Sequence, residues 1–249
     1  MGRQTTLGRI RSMGSRVVGL ALVAGLATVL GCAEPVQTRA YPRLQEGIDP
    51  IQRVAIAPFE AVGGLARLER DATREDGLDI PALPRAQGYT AADATTLVAR
   101  YFAEALEQRG VDVVTHEDVA RTLANQPTQP DRIVARQIAQ LAHAEFGVDA
   151  VLLGKVSRFR DRKSGVGASG EPSSVWFEIS LYSAPGAEKL WAGAFNQTQK
   201  PFTENVLETG NYPGGGMRWL TVEELSRWGA EQTAYKVPLG QKLRPSEVR

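Results

Sequence analysis

The chain has 249 residues, of which 29 are basic and 28 acidic, with a formal net charge of +1 and a single cysteine. This balance lacks the basic excess of nucleic-acid-binding proteins, and one cysteine cannot form an internal disulfide or a cysteine-rich zinc site. The length is sufficient for a domain that buries its own hydrophobic core.

Residues 1–31 have the pattern of an export signal. Four arginines and no acidic residue occur before Val17, and an almost wholly apolar run then continues to Leu30. A basic start and a short apolar core are typical of a secretory signal, and the run is shorter than the roughly 20 residues that span a membrane as a helix. We therefore predict a signal peptide that is removed from the mature protein.

The end of this run, Val29-Leu30-Gly31-Cys32, resembles the lipobox of bacterial lipoproteins, although Leu30 is bulkier than the usual residue. The resemblance implies that Cys32 becomes the first residue and carries diacylglycerol and a further acyl chain such as palmitate. Two or more acyl chains give durable membrane anchoring. Because Ala33 rather than aspartate follows, the resemblance implies an outer-membrane location facing the periplasm. The alternative is an ordinary secretory signal with a coincidental cysteine.

Removal of the signal would leave 25 basic and 28 acidic residues and a net charge of −3. The sequence predicts a lipidated tether over residues 32–50, a single α+β periplasmic domain over 51–237 and a flexible tail over 238–249. The tether is expected because Ala33–Gln45 is polar, contains two prolines and shows no periodicity.

The first half of the domain is predicted to alternate strands and helices. Thr90 with Asp93 has the spacing of a capping box, and Gly110 stands where a helix commonly ends in a left-handed residue. The inner face of the last helix of this half is predicted to contain Val134, Ile138, Leu141 and Ala142. The predicted elements are a strand over 53–59, a long loop over 62–88, a helix over 90–109, a strand over 111–114, a helix over 115–124, a turn over 126–130 and a helix over 131–146.

The second half is predicted to form an antiparallel meander. Residues 174–183 alternate, with Val175, Phe177, Ile179 and Leu181 on one face and Trp176, Glu178, Ser180 and Tyr182 on the other. The predicted elements are strands over 150–160, 174–183 and 190–198, a Gly/Ser-rich connection over 161–172, a loop over 201–217 and a helix from the capping pattern of Thr221 and Glu224 to about Lys236. Together the two halves predict an α+β fold: a mixed sheet with a βαβ-like start and an antiparallel meander, packed with helices on one side.

The order of these elements resembles a group of envelope lipoproteins. The segments that carry the resemblance are Val54-Ala55-Ile56-Ala57-Pro58-Phe59, Leu106-Glu107-Gln108-Arg109-Gly110, the run from Gly147 to Val156, and Leu190-Trp191. They resemble the amino-terminal domain of the Tol-Pal translocation protein and the curli-secretion and penicillin-binding-protein-activator lipoproteins. The resemblance covers about residues 53–198 and implies a fold rather than a function.

Five aromatic residues form the candidate partner surface: Trp176, Tyr182, Phe202, Tyr212 and Trp219. Exposed aromatic side chains supply apolar contact area with few rotamers to immobilise. The alternative is that Phe202, Tyr212 and Trp219 cover an edge of the protein's own sheet. Arg158, Arg160, Arg162 and Lys163 form a local basic patch, which would meet anionic lipid headgroups or an acidic partner, or be solvated charges at the end of a strand.

The sequence offers no catalytic residues, no metal ligands and no cofactor site. His116 and His143 have no neighbour that resembles a metal or triad motif. Gly165, Gly167 and Gly170 have the spacing of the dinucleotide fingerprint, but Glu171-Pro172 and a strand follow them where the motif needs a helix.

We therefore expect a membrane-anchored, non-enzymatic lipoprotein whose periplasmic domain binds another cell-envelope protein, with no nucleic-acid partner. A subunit of an oligomeric outer-membrane export or assembly complex is the alternative. A hydrolase is a third class, for which the sequence shows neither clustered acids nor a Ser/His pair.

Overall fold

A computed structural model describes residues 35–63, 65, 88–125, 134–162, 171–199, 213 and 218–239. The strands are β1 (Val36–Ala40), β2 (Arg53–Ile56), β3 (Glu60–Ala61), β4 (Asp112–Val114), β5 (Ala150–Arg160), β6 (Ser174–Ser183) and β7 (Lys189–Thr198). The helices are α1 (Pro42–Glu46), α2 (Ala91–Glu107), α3 (His116–Ala124), α4 (Ala135–Phe146) and α5 (Val222–Tyr235). Several predictions lie outside the described residues: the signal and Cys32, most of the loop over 62–88, the turn over 126–130, most of the loop over 201–217, and the tail from residue 240.

The strands of the described residues form one mixed sheet in the order β1-β7-β6-β5-β2-β4, with the short β3 also paired to β5. β4, β2 and β5 are parallel, and α2 provides the crossover between β2 and β4. β5, β6, β7 and β1 are antiparallel to their neighbours. This arrangement confirms the predicted α+β fold, with a βαβ-like start followed by a meander.

The helices pack against the sheet in two groups. Alternate residues of the central strands enter two hydrophobic clusters, with Leu152 in the first and Val151 in the second. The long helices α2 and α5 cover the face of the first cluster. The shorter α3 and α4 cover the other face beside the parallel strands, and α4 also reaches β6. The opposite face of the meander therefore has no helix over most of its area in the described part of the chain. The prediction that the helices pack on one side is wrong for α3 and α4.

A chain of aromatic rings holds the first face together. Successive ring centroids from Phe59 through Phe102, Phe177 and Phe195 to Trp228 are 5.9, 5.5, 5.2 and 5.5 Å apart. Such tilted, offset and edge-to-face contacts are favourable beyond the area that they bury. Trp191 joins the same cluster and is 4 % exposed.

The predicted ends of α2, α3 and α5 agree with the structure to within two residues, but α4 begins at Ala135 rather than at residue 131. Thr90 and Asp93 form a reciprocal capping box, as do Thr221 and Glu224. Gly110 has a φ of 80°, in the left-handed region where glycine is favoured. The inner face of α4 is only partly as predicted, because Val134 precedes the first helical turn and is 59 % exposed, while Ala139 and Ala142 are buried.

The segment predicted as a tether over 33–45 contains folded structure instead. Residues Val36–Ala40 form β1, which pairs antiparallel with β7, and Val36 and Leu44 are buried. Residues Gln37, Thr38 and Arg39 are exposed. Because only Val36 of this strand is buried, the segment shows little of the alternation by which a half-buried strand is predicted from sequence.

Candidate functional site

Three side chains form a row across the outward face of the meander, which is the face opposite the aromatic core. Arg158 of β5 lies opposite Trp176 of β6, and Trp176 lies opposite Asn196 of β7. Trp176 is 36 % exposed, whereas its neighbour Phe177 on the other face is fully buried. This row places a cation, an indole ring and an amide side by side on an accessible surface.

A β-bulge sets the position of Arg158. The register passes from Val156 opposite Phe177 to Arg158 opposite Trp176, so Ser157 is the extra residue. In an unbroken register Ser157 would face Trp176, and Arg158 would point into the core with Val175. The bulge therefore turns the guanidinium to the outward face, which is a common use of bulges at functional surfaces.

The Arg158 guanidinium contacts both of its neighbours. Its central carbon lies 5.8 Å from the centroid of the Trp176 ring, and Nη2 donates a hydrogen bond to Oδ1 of Asn196. Its Nε is buried without a hydrogen-bond partner among the described residues. Burial, with a further contribution from the positive charge of Arg160, lowers the pKa of Arg158 from its ordinary value, but an arginine remains protonated at neutral pH.

Trp219 lies near the same end of the sheet and is held by buried polar contacts. The side-chain amide of Gln199 accepts from the Leu220 N–H at 2.7 Å and donates to the Arg218 carbonyl at 2.8 Å. Ser173 Oγ donates to the Leu220 carbonyl at 2.7 Å. These bonds fix the backbone on both sides of Trp219, whose ring is half-buried and lies 5.0 Å from the guanidinium carbon of Arg162.

We call Arg158, Arg160, Arg162, Trp176 and Trp219 the basic–aromatic rim, because they lie where β5 ends and β6 begins, or just beside it. Arg160 is exposed and lies 3.9 Å from Glu171. The contacts described for Arg158 and Arg162 include the faces of the two tryptophan rings, an arrangement in which a cation is attracted by the π-system.

Tyr182 lies at the other end of the outward face. It is six positions after Trp176 in β6, which corresponds to about 20 Å along a strand. It is half-buried, packs against the second hydrophobic cluster and borders a cavity of about 400 Å³ beside Val134 and Lys189. Trp176 and Tyr182 therefore share a face, as predicted, but do not form one contact patch. Phe202 and Tyr212 lie outside the described residues.

Between these two ends the outward face carries small side chains. Ala192 and Ala194 of β7 and Ser180 of β6 border a shallow cavity of about 260 Å³, together with Arg39 and Glu178. We call this part of the face the sheet trough. The larger cavity beside Tyr182 shares Glu178, Ser180 and Lys189 with the sheet trough, so the two depressions adjoin.

The described residues bring no group of three or more His, Cys, Asp or Glu side chains together in a way that could hold a metal ion. His143 Nδ1 lies 2.9 Å from the Val148 carbonyl, and His116 is buried with Nδ1 3.2 Å from Glu117. The three glycines at 165, 167 and 170 lie outside the described residues. Among the helices that the structure describes, none has the length and apolar character needed to cross a membrane.

No family model matches the chain, and no curated protein matches it in sequence. Among solved structures it is similar to a PelC variant, a dodecamer from Paraburkholderia phytofirmans, with 15 % identity and a TM-score of 0.44 over 82 % of this chain and 97 % of that one. It is also similar to lipoprotein GNA1162 from Neisseria meningitidis, with 16 % identity and a TM-score of 0.37 over 58 % and 80 %. The LpoB C-terminal domain from Escherichia coli shows 15 % identity and a TM-score of 0.36 over 64 % and 96 %.

These similarities concern the fold alone. LpoB, a penicillin-binding-protein-activator lipoprotein, is among the solved structures that the chain is similar to. The resemblances to the Tol-Pal translocation protein and to the curli-secretion lipoprotein stay predictions.

Sequence reasoning identified Trp176 and the neighbouring arginines but treated them separately. The pairing of Arg158 with Trp176 and Asn196 was missed, because strict alternation along β5 would place Arg158 on the same face as the buried Val156, and the bulge reverses this. No signal in the sequence marks Ser157 as the extra residue.

Proposed function

We propose that this chain is a non-enzymatic, lipid-anchored protein of the bacterial outer membrane whose periplasm-facing domain binds another cell-envelope protein. The observation that supports binding is the sheet trough, an accessible depression on the area of the outward face that the described helices leave uncovered. The anchoring half of the proposal rests on the lipobox-like sequence at Cys32.

The chemistry of the sheet trough favours an extended, acidic segment of a partner. Ala192, Ala194 and Ser180 are small enough to let a second backbone approach the sheet. Arg39 on β1 is exposed beside them, and Lys189 borders the same depression, with its ammonium 5.1 Å from the centroid of the Tyr41 ring. Carboxylates of a partner would meet these two cations, which outnumber the single carboxylate of Glu178 at the trough, and Tyr182 offers a partly exposed aromatic wall in the adjoining cavity.

Site-specific photocrosslinking in cells tests this surface. A photoreactive residue at Ser180, in the sheet trough, should form an adduct with one defined envelope protein, whereas the same residue at Tyr235, exposed on α5, should not. Replacing Arg39 and Lys189 by glutamate should abolish the Ser180 adduct, since carboxylates would then face carboxylates. Equal adducts from both positions, or a Ser180 adduct that persists in the charge-reversed protein, would contradict the assignment.

A second candidate is a subunit of an oligomeric export or assembly complex of the outer membrane. The edge of the sheet supports it: among the described residues β1 pairs with β7 only, and its other side is open. An open strand edge can pair with a second chain, although the charge of Arg39 opposes this. Native mass spectrometry of the detergent-solubilised protein would show one defined oligomer for this candidate and a monomer for the leading proposal.

A further inference from the structure

The start of β1 determines which end of the domain is closest to the anchor. Val36, the first residue of β1, pairs with Phe195 of β7. Asn196 follows directly, so the chain enters the sheet at the level of the Arg158–Trp176–Asn196 row. The basic–aromatic rim is therefore at the end of the sheet from which the chain leads back toward Cys32.

The connection from this end to the anchor is short. Val36 is four positions after Cys32 in the sequence, and four steps of a fully extended chain span at most about 14 Å. An acyl group on Cys32 would therefore hold this end of the sheet within about one headgroup layer of the membrane, since the interfacial regions add roughly 10–15 Å to the hydrocarbon core. A free tether of the length predicted from the sequence would have imposed no such limit.

The residues at this end have the chemistry of a membrane interface. Tryptophan is enriched at the level of lipid headgroups, where an amphipathic ring is stable. Arginine presents a planar fork of donors that matches phosphate oxygens. Trp176 with Arg158, and Trp219 with Arg162, combine the two on a surface that is at least partly exposed.

The carboxylates at the same end have protein partners. Glu224 pairs with both terminal nitrogens of Arg218, at 2.7 and 2.8 Å, and Glu171 lies near Arg160. Asp161 accepts the backbone N–H groups of Arg162 and Val222. Because these contacts turn the carboxylates toward the protein, they leave the two tryptophan–arginine pairs as the groups best placed to meet phosphates.

We infer that the basic–aromatic rim lies against the phospholipid headgroups of the leaflet that holds the acyl chains, with Arg158 and Arg162 on phosphates and Trp176 and Trp219 at headgroup depth. This inference rests on the proposed anchoring at Cys32. It assigns different roles to two parts of the outward face: the rim contacts the membrane, and the sheet trough stays free for a protein partner.

Fluorescence quenching by brominated lipids tests the inference. The protein is expressed from the full-length sequence, and its processed form is reconstituted into vesicles of phosphatidylethanolamine and phosphatidylglycerol. Mass spectrometry of the amino-terminal peptide reports separately whether Cys32 is acylated. In the acylated protein, brominated lipids should quench part of the tryptophan fluorescence. The quenched part should be smaller in the Trp176→Phe variant and in the Trp219→Phe variant. The matched control Trp228→Phe removes a core tryptophan and should leave the quenched signal unchanged.

Removing the rim charges gives an independent readout. The ratio of quenched to unquenched tryptophan fluorescence should fall about fivefold in Arg158→Gln and in Arg162→Gln. One basic residue near an anionic surface changes the equilibrium constant for contact with that surface by about this factor. Arg43→Gln, an exposed arginine after the far end of β1, should have no effect. Acylated protein that floats with the vesicles without any quenching would overturn the inference while leaving the anchor intact. Absence of acylation would instead contradict the proposed function.

Discussion

Arg158 of β5 lies directly across from Trp176 of β6, and a β-bulge at Ser157 brings both side chains to the outward face of the sheet. One extra residue thus converts a position that would enter the core into one that faces solvent. The same bulge leaves Phe159 on the inner face, where it contacts Tyr89 edge to face at 5.0 Å. The two faces of the meander consequently have separate roles, one structural and one available for contacts.

The first prediction compares two adjacent residues of β6. Phe177→Ala should lower the free energy of unfolding by about 3–5 kcal/mol, because it leaves a cavity within the aromatic core. Trp176→Ala should lower it by about 1 kcal/mol or less, since it removes a cation–π contact at a partly exposed site. Urea unfolding of the two variants measures the difference. Similar losses for both would show that the outward face is as buried as the core.

The fold could be predicted from the sequence where periodicity and caps agree. The alternation from Val175 to Leu181 and the threonine caps at Thr90 and Thr221 identified elements that the structure contains. Strand β1 could not be predicted, because only Val36 and, beyond the strand, Leu44 are buried in a polar segment. The position of the basic–aromatic rim depends on that strand and on the bulge, so it could not be derived from local patterns either.

The second prediction concerns the place of β1 in the domain. Val36→Asp should destabilise the protein by about 2 kcal/mol or more, because it removes a packed side chain and buries an unpaired polar group. Thr38→Asp, two residues along the same strand but exposed, should change stability by about 0.5 kcal/mol or less. Thermal unfolding followed by circular dichroism distinguishes the two. If neither substitution has an effect, residues 36–40 behave as a tether.

The third prediction concerns the close approach of α5 to the sheet. An alanine at Gly229 would place its Cβ 2.6 Å from the ring of Phe195. Alanine normally stabilises a helix relative to glycine by about 1 kcal/mol, but overpacking of this kind costs about 1–3 kcal/mol. Gly229→Ala should therefore lower the melting temperature, whereas Gly186→Ala, which meets only the flexible Glu188 side chain at 3.3 Å, should leave it nearly unchanged. A rise in the melting temperature of Gly229→Ala would contradict this packing.

The fourth prediction concerns Glu224 at the start of α5. Hydrogen bonds from Arg218, and then from the Thr221 backbone, hold the pKa of Glu224 below its ordinary value of 4.5. A carboxylate whose folded pKa is lowered contributes stability above its unfolded pKa, and this contribution is lost as the pH falls through the folded value. The protein should therefore lose stability progressively below about pH 4.5.

The variant Glu224→Gln should lack this component of the acid loss, while Glu231→Gln, an exposed position of the same helix, should retain it. Urea midpoints measured across this pH range give the comparison. If the two variants have the same pH dependence, the ion pair with Arg218 does not contribute to stability in solution.

The membrane contact of the rim and the periplasmic orientation of the sheet trough both depend on acylation of Cys32. Labelling with radioactive palmitate in a bacterial host tests this acylation directly, with the full-length chain and its Cys32→Ser variant expressed side by side. We expect a labelled, processed protein for the natural sequence and an unlabelled, unprocessed precursor for the variant. Equal labelling of the two proteins, or processing of the variant at the same position, would contradict it.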